Sequence, residues 1–181
     1  MRPEVRVVCE GIIVREGQAI LEAHSSSTLV LLGAKRLVID TSSRQYRRKV
    51  LDGLEPLGVG PGEVDLLVST HPHGDHTGND DLFSSAERLS LRAGEASRDI
   101  ASGVRLVSTP GHTPDSVSVF VEAEERYAIV GDAMPTEDNY RKWLPPGIHY
   151  DRDVALASMR TIVDFADIVI PGHGRPFRID R

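Results

Sequence analysis

The stretch "VDLLVSTHPHGDHTGN" (residues 64–79) decides the fold. It opens on an apolar run of strand length and closes on three histidines and an aspartate in six positions: His71, His73, Asp75 and His76. Imidazole nitrogens and carboxylate oxygens are the ligands that zinc and neighbouring divalent metals prefer. On an extended loop, His71 and His73 at i and i+2 point to the same side. Gly74 lets the backbone turn tightly enough for Asp75 and His76 to follow. A buried strand that ends in such a loop suggests an α/β sheet with its ligands gathered beyond the strand ends.

The rest of the chain repeats the pattern at three more places. His112 lies in "TPGHTPDS" (109–116), Asp132 in "AIVGDAM" (128–134) and His173 in "VIPGHGRP" (169–176), each after a glycine at the end of an apolar run. Seven potential metal ligands at strand ends are hard to explain as structural histidines and caps.

Outward from these points, apolar runs at 5–14, 19–23, 28–33 and 36–40 read as strands, and "SRQYRRKVLDGLEPLG" (43–58) as a helix ending on Gly58. Strands are predicted again at 64–69, near 88–92, and at 104–108, 116–122, 126–131 and 167–171. A second helix is predicted in "DRDVALASMRTIVDFA" (151–166), with Asp151 as N-cap and Ala155, Met159, Ile162 and Ala166 on one face. Two blocks, each of several strands and then a helix, predict two packed sheets with helices outside, an α/β sandwich. The 181 residues suit a single domain spanning 1–181, without internal repeats or low-complexity tracts.

Composition narrows the function. A net charge of −6, with three lysines among 21 basic residues, argues weakly against a general nucleic-acid binder. No segment is apolar enough to span a membrane, and the start, "MRPEVRVVCEGIIVREG", lacks a secretory core, so a cytoplasmic protein is expected. The lone Cys9 sits in an apolar run and reads as a small core residue.

The order "HPHGDH", His112, Asp132, His173, with Asp40 in "RLVIDTS" (36–42) as an opening strand-end aspartate, resembles the signature of the metallo-β-lactamase fold superfamily over residues 5–179. Within it, "STPGHTPDSVSVFV", "VGDAM" and "ADIVIPGHGRPFRI" are similar to the short one-domain metallo-hydrolases around metallo-β-lactamase domain-containing protein 1.

The resemblance implies a four-layer αββα sandwich of two mixed β-sheets. It implies one metal on His71, His73 and His112, a second on Asp75, His76 and His173, and Asp132 bridging them. Two zinc ions per chain are expected, with iron or manganese as alternatives, and a shared hydroxide as nucleophile. Asp75 would both ligate and take the proton of that hydroxide, the one catalytic side chain beyond the metal set. Asp40 would orient a ligand histidine from behind. An aspartate at the bridging position, where zinc β-lactamases often carry cysteine, argues against antibiotic hydrolysis.

The expected substrate is a small molecule, or RNA or another phosphodiester; a homodimer is a further expectation. An alternative reading is a mononuclear-iron oxidoreductase of the persulfide dioxygenase type on His71, His112 and Asp132; another is a non-catalytic metal-binding module. The segment "PTEDNYRKWLPPGIHYD" (135–151) is expected along the mouth of the site. Its Tyr140, Arg141, Lys142, Trp143, His149 and Tyr150 read singly as packing aromatics and exposed charges, with His149 also placed to protonate a leaving group. His24 reads as a strand end. Arg44, Arg47, Arg48 and Lys49 read as the solvated face of the first helix.

Overall fold

In chain order, the computed structural model, which describes residues 2–17 and 19–180, runs β1 (Glu4–Cys9), β2 (Ile12–Glu16), β3 (Ala19–His24), β4 (Ser27–Leu32) and β5 (Lys35–Ile39). Then come α1 (Arg47–Leu54), β6 (Leu66–Val68), α2 (Gly74–Thr77), β7 (Glu87–Leu89), β8 (Ser97–Ala101) and β9 (Val104–Ser108). The series closes with β10 (Val117–Glu122), β11 (Arg126–Gly131), α3 (Glu137–Lys142), α4 (Arg152–Phe165), β12 (Ile168–Pro171) and β13 (Phe177–Arg178).

The first half of the chain builds one sheet, ordered β1-β4-β5-β6-β7, and the second half another, β13-β12-β11-β10-β9-β8. Both mix parallel and antiparallel pairs: β5 and β6 run parallel, as do β11 and β12. Side-chain alternation explains the layering. Leu37, Ile39, Leu66, Val68, Val119, Val121 and Ile129 meet between the sheets. Their neighbours face outward, Val38 and Leu67 under α1 with Val50 and Leu54, and Phe120, Ala128 and Val130 under α4 with Met159 and Ile162. Strands buried on both faces need the continuous apolar runs seen in the sequence. The result is the expected four-layer αββα sandwich.

Several expectations change in detail. The run 5–14 is two strands, because the chain leaves the first sheet at Gly11, which bridges to Gly174 beside the site. A side chain there would meet the Ser26 nitrogen at 2.4 Å. β2 and β3 pair only with each other, as a two-stranded hairpin outside both sheets. β8 and β13 were not foreseen: β8 is polar and β13 only two residues long. The predicted first helix is α1 flanked by single 3-10 turns, and it does end at Gly58 in the left-handed region. Within 135–151, residues Glu137–Lys142 form α3, started by Thr136 and Asn139 in a capping box. Asp151 caps α4 as expected, accepting from the Asp153 and Val154 nitrogens.

Candidate metal centre

Strand direction gathers the donors. β9 and β11 each run antiparallel to β10, so they share a direction with each other and with β12. His112, Asp132 and His173 therefore emerge at one edge of the second sheet. β5 and β6, parallel in the first sheet, deliver Asp40 and residues 71–76 to the facing edge. Backbone hydrogen bonds close the seam: Ser26 N to Gly172 O at 2.7 Å and Val117 N to Thr70 O at 2.9 Å.

All seven candidate ligands converge there, in two separate trios and a third, His71, His76 and Asp132, that spans them. His73 Nδ1 lies 3.0 Å from both His71 Nε2 and His112 Nε2. Ligand atoms around a tetrahedral zinc, at about 2.0–2.1 Å from it, stand about 3.3 Å apart. Asp75, His76 and His173 form the second group. Asp132 lies between: Oδ1 is 3.3 Å from both His76 Nε2 and His173 Nε2, and Oδ2 is 3.7 Å from His112 Nε2.

The surroundings fix which nitrogen faces inward. His112 Nδ1 donates to the Ile148 carbonyl at 2.7 Å, His173 Nδ1 to the His24 carbonyl at 2.9 Å, and His76 Nδ1 to Asp40 Oδ2 at 2.7 Å. Each leaves its Nε2 lone pair turned to the centre, the arrangement found behind metal-bound histidines. His76 Nε2 and Asp132 Oδ1 are buried with no hydrogen-bond partner. Buried polar atoms are normally satisfied, and a cation between these converging lone pairs would satisfy them. The donor set therefore fits divalent metal.

Electrostatics point the same way. Burial first, and then His76 nearby, push the His71 pKa down to about 2, so it is neutral. Burial opposes charge on His76 and on Asp132, but each is the other's counter-charge. Asp40 and Asp132 outweigh burial to hold His76 well above its ordinary value, and the facing histidines hold Asp132 well below its own. A metal ion entering the centre takes over the role that these protons play.

Behind the ligands stands Asp40, in the left-handed region at φ 53. It accepts from the Thr70 nitrogen and hydroxyl, both at 2.7 Å, as well as from His76. Thr70 Oγ1 is in turn 3.2 Å from His71 Nδ1, so one carboxylate orients a ligand of each group. Asp40→Ala is expected to weaken metal affinity about 10 to 100-fold, the usual effect of losing such a support. A chelator titration followed by zinc release measures it; unchanged affinity would assign Asp40 to the turn alone.

Two glycines make the approach possible. Gly131, at φ 48, would put a Cβ 2.2 Å from Thr70 Oγ1, and Gly172 would put one 2.1 Å from Asp132 Oδ1. Thr70 did not stand out from the sequence, and the two glycines were read there only as punctuation before Asp132 and His173, since their close contacts exist only once the opposite sheet is in place.

A cavity of about 180 Å³ opens onto the metal side, lined by His73, Asp75, His112, Asp132 and His173 and roofed by the β2–β3 hairpin. The 135–151 segment contributes differently than its side chains suggested. Pro146, Gly147 and Ile148 line the cavity, whereas His149 points away, its Nδ1 2.6 Å from the Pro146 carbonyl. Tyr140 stacks on Phe177, Trp143 packs beside α4, Arg141 pairs with Glu137, and Lys142 with Asp138. Arg44 and Arg47 pair with Asp81, Arg48 with Asp52, and Lys49 lies over the Tyr46 ring.

Comparison with known proteins agrees with this architecture. A family model described as the Metallo-beta-lactamase superfamily matches residues 21–97 and 95–173. A probable metallo-hydrolase of Methanocaldococcus jannaschii is 32% identical, over 93% of this chain and 86% of its own. Metallo-beta-lactamase domain-containing protein 1 of Xenopus laevis is 33% identical, over 97% of this chain and 81% of its own. Among solved structures, that of a candidate metallo-beta-lactamase from Thermotoga maritima superposes with a TM-score of 0.79 at 18% identity, covering 98% of this chain and 100% of the other.

Proposed function

Since the chain belongs to the metallo-beta-lactamase superfamily, we propose that it is a hydrolase using two zinc ions to cleave an ester-type bond, in a phosphodiester or RNA, a lactone or a thioester. The observation that carries this reading is the position of Asp132, one oxygen toward His76 and His173 and the other toward His112. In the proposal, His71, His73 and His112 would hold one ion and Asp75, His76 and His173 the other, with Asp132 a donor available to both. Two ions so placed supply Lewis acidity and lower the pKa of a shared water, giving a nucleophile near neutral pH.

The protein's own part is positioning and proton transfer. Three imidazoles are pinned from behind by Asp40 and two backbone carbonyls, so the donors keep their geometry through the reaction. Asp132 is engaged at both oxygens. Asp75 lines the cavity and its side chain is 25% exposed, so besides its place in the donor set it can hold the attacking water and accept its proton. Among the described residues lining the cavity, the only other charged side chain outside the ligand set is Arg15, so Asp75 also returns the proton to the leaving group.

The test is elemental analysis of protein purified without added metal, followed by turnover of bis(4-nitrophenyl) phosphate, an acyl lactone and a thioester. Two zincs per chain, with hydrolysis lost on chelation and restored by zinc, is the expected result. One iron per chain with no hydrolysis would overturn the proposal in favour of oxidative sulfur chemistry.

A further inference from the structure

The β2–β3 hairpin belongs to neither sheet, yet its inner face is part of the cavity wall. Its pairing explains which residues face inward. Ile13 opposes Ala23 and Val14 opposes Glu22; the register then slips, so that Arg15 opposes Ile20 and Leu21 is left over. Residues directly opposite share a face. The extra residue therefore turns Ile20 inward beside Arg15, while Leu21 is left 62% exposed. With regular pairing, Leu21 instead of Ile20 would lie opposite Arg15 on the inner face.

The inner wall is apolar, Ile13, Ile20 and Ala23, with Ile148 across from it, and carries one cation at its far end. A second cavity of about 360 Å³ adjoins the first and shares Ile13, Arg15, Pro135 and Gly147 with it. Arg15 stands at the waist between them, with Nη1 3.3 Å from where a side chain on Gly147 would begin. The other cation of the outer cavity, Lys142, is held by Asp138 at 2.7 Å. Among the described residues Arg15 makes no ion pair and no hydrogen bond. An unpaired guanidinium at the end of an apolar wall suits a ligand built the same way.

Resting on the hydrolase reading, we infer that Arg15 is a specificity-determining residue that anchors an oxyanion, carboxylate or phosphate, joined by a short apolar segment to the bond being cleaved. The apolar segment lies against Ile13, Ile20 and Ile148, and the anion reaches the waist. The inner cavity, smaller than the roughly 300–1,000 Å³ of a pocket for a whole drug-sized ligand, holds the reacting end and the apolar segment. The protein's net charge of −6 makes an isolated cation at this mouth the local exception.

The experiment compares binding of adipamate, butyl phosphate and neutral hexanamide to the zinc-loaded chain by NMR titration, for wild type, Arg15→Met and Arg15→Lys. Met keeps the apolar stem and removes only the charge. The expected result is that at least one anion binds about tenfold more tightly than hexanamide, that Arg15→Met removes this preference, and that Arg15→Lys keeps part of it. Whichever anion responds names the substrate class. A preference that survives in Arg15→Met places the anion on the metals and overturns the inference, as does equal loss for hexanamide, or no preference in wild type. Turnover of mono(4-nitrophenyl) adipate against 4-nitrophenyl hexanoate is measured in parallel. If neither ester is cleaved while the binding preference stands, carboxylic-ester hydrolysis falls and the role of Arg15 does not.

Discussion

Asp132→Ala is expected to lower hydrolysis by at least ~10³-fold, since it removes the one carboxylate shared by both donor groups, and the metal chemistry it supports is worth several kcal/mol of transition-state stabilisation. The loss should appear in kcat and be beyond rescue by excess zinc, because the remaining donors still form two separate trios without a common member. The fold should persist. Strands β11 and β12 are held by Val130, Val169, Met159 and Ile162, none of which depends on Asp132. Without Asp132, burial favours the neutral form of His173, whereas His76 keeps Asp40 as its counter-charge. Circular dichroism and steady-state kinetics on the same preparation check this, with Asp132→Asn as the shape-preserving control. A folded alanine variant that turned over at the wild-type rate would remove Asp132 from the chemistry.

A larger structural effect is expected from Gly172→Ala, a change of one methyl group. The new Cβ would stand 2.1 Å from Asp132 Oδ1 and 3.0 Å from the Gly131 carbonyl carbon and oxygen. The first atom could swing away only by leaving the centre, and the second is backbone that cannot move without β11. Overpacking of this kind typically costs about 1–3 kcal/mol, or about 2–12 °C in Tm for a chain this size. Whichever part yields, Asp132 or the end of β12 with His173, the donor set is broken, so zinc affinity should drop at least ~100-fold. Thermal unfolding with and without zinc separates the two effects. If the variant kept wild-type zinc affinity, the close approach at Gly172 would be irrelevant to the centre.

Much of this was legible in the sequence, for a physical reason. Metal chemistry needs particular residue types, and loops at strand ends place them at short, recognisable spacings, so His71 to His76, His112, Asp132 and His173 could be named before any geometry. The apolar runs of β4, β5, β10 and β11 were equally plain, because strands covered on both faces have no polar side to blur the pattern. What was illegible depends on contacts between distant segments. The break at Gly11 follows from the Ser26 backbone 15 residues on. The small polar strand β8 is a strand only because β9 pairs with it. His149 looked more chemical than Ile148, yet it is the Ile148 carbonyl that holds His112, and a carbonyl is invisible in a side-chain pattern. That Ile20 rather than Leu21 shares the inward face with Arg15 depends on a one-residue slip in pairing, which periodicity alone misplaces.

The division of donors between the two sheets has a consequence for how the protein matures. His71, His73, Asp75 and His76 come from the first sheet, His112, Asp132 and His173 from the second, and His173 follows the penultimate strand. Neither half can assemble both groups alone: the first group lacks His112 and the second lacks His173 until the sheets have docked. On the two-ion proposal, ion capture would come late in folding, and captured ions would hold the two halves together, because opening the sandwich along its seam would break bonds to donors on both sides.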